Sequence, residues 1–139
     1  MEFTHLWFNF KGRINRAKYW LVTLVNSALL VALFLLAVAV NSTALMVLVG
    51  LLFIPIVVSS IGVTVTRLHD REKSAWWLLL FYVVPGVLQG IGEGIGGDAN
   101  LPLLLMSAAL SIWAFVEIGC LRGTAGDNRY GPDPLAGQG

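Results

Sequence analysis

A histidine beside an aspartate, His69-Asp70, is the closest thing in this chain to an acid–base element. Acid–base catalysis needs such a pair near a nucleophile or a metal. No Ser/His/Asp or Cys/His arrangement accompanies it. Two adjacent ligands do not close a coordination sphere either, and His5 has no second ligand at useful spacing. The single cysteine, Cys120, lies in an apolar run with no neighbouring base to activate it. Gly92, Gly94 and Gly97 match G-x-G-x-x-G, but without the strand and βαβ unit that give the motif its meaning. Glu117 is the one ionisable residue well inside an apolar run. A carboxylate there is either a proton site or half of an ion pair. One carboxylate is not a relay, so an ion pair with a nearby arginine, Arg67, is expected. The sequence therefore offers no catalytic residue, no metal site and no cofactor site.

The elements that must carry these residues are set by composition. The chain has 139 residues, 57% hydrophobic and only 12% charged, with a mean hydropathy of +0.78. A soluble domain carries roughly 25% charged residues. Half that number cannot cover a water-soluble globule, so most of the surface must face lipid. A net charge of +1 excludes a nucleic-acid binder that works by bulk electrostatics, and one cysteine excludes an intramolecular disulfide framework.

Four apolar runs, about 19–40, 44–65, 76–95 and 101–121, each reach roughly 30 Å as helices, the thickness of the hydrocarbon core. They are continuously apolar, which excludes the period-two pattern of barrel strands. The expected fold is all-α: a single polytopic membrane domain over 1–139, with four transmembrane helices, an N-terminal segment 1–18 and a tail 122–139. Lysines and arginines precede the first run, fill the second connection and follow the fourth run, whereas the first and third connections have none. That alternation predicts an N-in/C-in bundle with both termini and the middle connection in the cytoplasm. Ala37-Val38-Ala39 resembles a signal-peptidase site, but the long aromatic leading region and full-length span favour a retained helix.

Within the runs, polar and small residues fall into stripes. Thr23, Asn26 and Ser27 share a face of the first. Ser60, Thr64 and Arg67 share one of the second. Ser107, Ser111, Ala114 and Glu117 share one of the fourth. Such stripes suit close interhelical packing. The third run should kink at Pro85 and unravel toward Gln89 and Glu93. Its overlapping G-x-x-x-G steps, Gly86, Gly90 and Gly94, suit either a close helix contact or a loose exit from the membrane.

Three polar segments remain. They are Phe10-Lys11-Gly12-Arg13-Ile14-Asn15-Arg16 leading to Tyr19-Trp20, Arg67-Leu68-His69-Asp70 leading to Lys73-Ser74-Ala75-Trp76-Trp77, and Gly126-Asp127-Asn128-Arg129-Tyr130-Gly131-Pro132-Asp133-Pro134. In this order, around these runs, they resemble domain of unknown function 805, the YhaH-like small bacterial inner-membrane proteins, from about Phe8 to Pro134. The resemblance implies a bacterial inner (plasma) membrane location and a compact helical domain, and implies no activity. Family members often carry Gly or Asn where this chain has Glu72, which suggests a different turn here. Lys18 in place of an acidic residue leaves Asn15 to cap its helix alone.

All three segments fall on the expected cytoplasmic side. They define a candidate polar cluster of Arg13, Asn15, Arg16 and Arg67, with His69, Asp70, Lys73 and Ser74, completed by Glu117, Asn128, Arg129 and Asp133. Such a layer can clasp the tail to the helix ends, hold anionic lipid headgroups, through Arg13 and Arg129 among others, or dock a membrane protein partner or a second copy. The expected function is that of a non-enzymatic lipid- or protein-interacting membrane module. A small transporter or channel subunit is the alternative, and an enzyme acting on membrane lipid comes third.

Overall fold

Asn15 sets where the first helix begins. Its backbone is extended and its side chain accepts the Lys18 N–H at 2.9 Å, so α1 (Arg16–Val40) starts at the next residue. A cap of this kind is worth about 1 kcal/mol. The helix ends where Asn41 turns left-handed, at φ 51°, and its N–H bonds to the Ala37 and Val38 carbonyls. Ser42 then caps α2 (Thr43–Asp70) by accepting the Leu45 N–H. A two-residue connection therefore folds α1 and α2 into an antiparallel hairpin. The computed structural model describes residues 6–137, and among them there is no β-strand, only an isolated bridge between Asn128 and Gly131.

The third run departs from expectation. Pro85 has no N–H, and its ring crowds the carbonyl one turn back. The chain absorbs this as a π-helical segment, Leu79–Val83, followed by α3 (Val84–Ile95) with Pro85 in its first turn. The glycine-rich half does not unravel; it stays helical to Ile95. A methyl group at Gly86, Gly90 or Gly94 would meet nothing, so the G-x-x-x-G steps make no close contact within the described chain. A methyl group at Gly92 would instead touch Leu104, Asn100 and Leu103, at 3.5–3.6 Å, which is ordinary van der Waals contact. A short 3₁₀ turn, Asp98–Asn100, leads into α4 (Leu101–Ala114), which continues as a π-helical turn, Phe115–Cys120.

Among the described residues, three helices are long and apolar enough to cross a membrane: Arg16–Val40, Thr43–Asp70 and Leu101–Cys120. The fourth, Leu79–Ile95, is shorter, about 25 Å. Exposed apolar side chains run the length of all four, as lipid-facing helices require. The hairpins hold themselves together through the predicted stripes. Asn26 donates to Ser59 at 3.1 Å across α1 and α2, and accepts from Trp7 at 3.0 Å. Ser107 donates to the Pro85 carbonyl at 2.9 Å across α3 and α4. Between hairpins, close backbone approach is confined to Phe115–Cys120 against α1 and α2. The core sits at that end: Tyr19, Val22, Val63, Leu68, Phe81, Ala114 and Ile118.

Candidate functional site

The end of α4 explains where the arginines go. A helix terminus leaves its last carbonyls without intrahelical partners. Here five consecutive carbonyls are taken by side chains from other elements. Arg67 donates through Nε to Ile118 O at 2.8 Å and through Nη2 to Leu121 O. Trp20 Nε1 donates to Gly119 O at 2.9 Å and Arg16 Nη1 to Cys120 O at 2.9 Å. Arg71 Nη1 donates to Arg122 O. Cations at a helix C-terminus also favour the helix dipole.

The end of α2 is closed in the same manner by the flanking segments. Thr66 O accepts from the Ile14 N–H, His69 O from Asn128 Nδ2 at 2.9 Å, and Asp70 O from the Thr124 N–H at 2.7 Å. Arg129 Nη2 donates to Glu72 O at 2.9 Å and its guanidinium lies over Tyr130. Glu72 stands at φ 59°, with its N–H on His69 O and the Lys73 N–H on Leu68 O. The expected different turn is thus absent. The left-handed helix stop is kept, with a glutamate where glycine fits without strain.

Arg13 joins everything. It donates to Asp70 Oδ1 at 3.1 Å, to Thr124 O at 2.6 Å, and to Gly126 O and Gly131 O at 2.7 and 3.2 Å. Its side chain is 1% exposed. Asp70 holds a second arginine, Arg67, through its other oxygen. Gly123 packs so closely on this carboxylate that a methyl group would overlap it. Sequence reasoning passed over Gly123; only the close approach in space marks it.

The expected Arg67–Glu117 pair does not form. Glu117 Oε1 binds Arg71 Nε at 2.9 Å and Lys73 Nζ at 3.0 Å instead. Arg67 is already consumed by the α4 carbonyls and by Asp70, one turn away on its own helix. His69 and Asp70 likewise work apart. His69 Nδ1 lies 3.1 Å from Gly12 O and its ring stacks on Tyr130 at 4.0 Å, while Asp70 serves the arginines. They form no acid–base dyad, and His5 lies outside the described residues. Asn128 also accepts the Tyr130 N–H, and Ser74 contributes its carbonyl to the Trp77 N–H. Asp133 makes no ion pair within 4.0 Å among the described residues, although Arg13 and Arg122 lie close enough to favour its charge. It accepts the Gly126 and Leu135 N–H groups, which hold its carboxyl below the usual range. The Arg13 donors, expected to face a lipid headgroup, are spent inside the clasp.

Two hollows flank this layer. One, about 250 Å³, is lined by Asn15, Arg16, Asp70, Arg122, Gly123 and Leu135. The other, about 430 Å³, lies between the hairpins under Trp20, with Tyr82, Gly86, Gln89, Ser107 and Ser111 in its wall.

Apolar helices tied at one end by a buried arginine clasp define a polytopic helical membrane protein. Over residues 7–132 the chain matches the model of a protein family of unknown function, DUF805, and it belongs to that family. It is 34% identical over 136 residues to the uncharacterized protein YiiR of Escherichia coli K12, covering 91% of this chain and 86% of the relative. It is 32% identical over 133 residues to the inner membrane protein YhaH of the same organism, covering 90% and 86%. The inner membrane protein YhaI is 29% identical over 128 residues, covering 92% and 87%. No solved structure matches the chain.

Proposed function

We propose that this protein is a non-catalytic module of the bacterial inner membrane, with both termini in the cytoplasm, that gathers anionic phospholipid around a positively charged cytoplasmic collar. One observation carries the reading: the imbalance of charge at the clasped end. All nine lysines and arginines lie before α1 or in its first turn, at the end of α2 and its following turn, or after α4. The two buried carboxylates, Asp70 and Glu117, are each held by two cations. Arg16, Arg122 and Arg129 are exposed and make no ion pair within 4.0 Å among the described residues. Basic side chains at a membrane surface attract anionic lipid with about 1 kcal/mol each. The loop between α3 and α4, with Asp98, carries no cation at all. The test is the lipid that stays with the full-length protein purified from a mixed membrane. The reading expects enrichment of anionic over zwitterionic phospholipid relative to the bulk membrane. Retained lipid that mirrors the bulk composition contradicts it.

A further inference from the structure

Resting on that reading, we propose a discrete lipid site: one acyl chain of an anionic phospholipid occupies the cleft between the hairpins, and its phosphate sits on Arg16 and Arg122. The cleft, about 430 Å³, falls within the 300–1,000 Å³ typical of ligand pockets and exists because the hairpins approach only at Phe115–Cys120. Its polar wall groups are already satisfied. Ser107 donates to Pro85 O, Ser111 to Ser107 O, and Gln89 to Glu93. The Tyr82 hydroxyl lies against Tyr19 and Thr64. Trp20, Phe81, Pro85, Ala114 and Phe115 supply the apolar part of the wall, along which a hydrocarbon chain can lie.

Arg16 lies beside the cleft without lining it. It is one helical turn before Trp20, which lines the cleft, and its guanidinium reaches Cys120 O beside the cleft residue Gly119. That bond uses one of five donors. On its other side Arg16 shares the 250 Å³ hollow with Arg122. The Asp70 carboxylate in that hollow is held by Arg13 and Arg67, and Asp133, whose charge Arg122 favours, makes no ion pair within 4.0 Å with Arg16 or Arg122. Two forked guanidinium groups suit a phosphodiester, and a headgroup without a compensating ammonium meets no repulsion there.

The experiment is native mass spectrometry of the full chain in detergent, titrated with phosphatidylglycerol and, separately, phosphatidylethanolamine. The expected result is one phosphatidylglycerol held well above background, each of Arg16→Gln and Arg122→Gln weakening it about five-fold. The Arg122 side chain donates to no group among the described residues, so its variant keeps the fold if Arg16→Gln does not. Gly86→Phe should also expel the lipid, since Gly86 lines the cleft and the first carbon of a side chain there meets no protein atom. Lys11→Gln, on the exposed N-terminal segment and outside both hollows, should weaken lipid binding much less than either arginine variant. Inorganic phosphate should fail to compete, because the chain supplies much of the binding. If Gly86→Phe retains phosphatidylglycerol as wild type does, or Lys11→Gln weakens it as much as Arg16→Gln, the discrete site is overturned while the collar's general attraction stands. If phosphatidylethanolamine binds as tightly as phosphatidylglycerol, site and collar reading fail together.

Discussion

Gly123→Ala is a one-carbon change at a position that bears no charge, yet it should damage the protein as a lost ion pair would. The added methyl group would occupy the space of the Asp70 carboxylate. That carboxylate cannot swing aside cheaply, because Arg13 and Arg67 hold it from two sides and its side chain is 3% exposed. Overpacking a tight site costs about 1–3 kcal/mol. Stranding a buried charge by breaking its pair costs about 3–5 kcal/mol. Partial retreat of Asp70 places the expected loss at about 2–4 kcal/mol, between those limits. The assay is a double-mutant cycle in detergent, with unfolding followed by tryptophan fluorescence, using Gly123→Ala, Asp70→Ala and both. Without the carboxylate there is nothing to collide with, so Gly123→Ala should cost little in the Asp70→Ala background. Strictly additive losses would refute the reasoning.

Glu117→Gln should couple more strongly to Arg71→Gln and Lys73→Gln than to Arg67→Gln in the same kind of cycle, since Glu117 binds the first two; an equal or larger coupling to Arg67 would contradict the geometry. Arg13→Lys should release the tail, because one ammonium cannot reach Asp70, Thr124, Gly126 and Gly131 together; limited trypsin digestion should then cut after Arg129 faster than in wild type, while helix content stays unchanged. Glu72→Gly should stabilise the protein by about 1 kcal/mol by removing left-handed strain, less the entropy glycine loses on folding, and a destabilised variant would show that the Glu72 side chain has another role.

The helical architecture was legible because it depends on hydropathy over long windows, and lipid leaves few alternatives to a helix. The Asn15 cap and the Asn26 and Ser107 stripe contacts were legible for local reasons: capping geometry and helical spacing. The polar layer was foreseen as a location but not as a wiring diagram. Arg67 and Glu117 sit on suitable stripes, yet nothing in their spacing says that an α4 carbonyl and a neighbouring aspartate will claim Arg67 first. Competition among nine cations and a few buried acceptors is decided by distances that only tertiary structure supplies. Gly123 shows the same limit. A glycine at a close approach looks like any other, and the eye goes to the regular Gly86, Gly90, Gly94 series that in fact meets nothing. Pro85 was read correctly as a disruption, but the π-helical segment before it kept the following glycines helical.

The claim on which the rest depends is that the clasp and its collar face the cytoplasm. Replacing Cys120, the single native cysteine, and placing new cysteines one at a time at Asp98 and at Ala136 allows a direct measurement in intact cells with a membrane-impermeant maleimide. Asp98 lies in the turn between α3 and α4, and Ala136 lies in the tail beyond the clasp. The account predicts labelling of the Asp98→Cys protein from outside, and labelling of the Ala136→Cys protein only after the membrane is opened. External labelling of the Ala136→Cys protein with protection of the Asp98→Cys protein would invert the molecule and contradict the account.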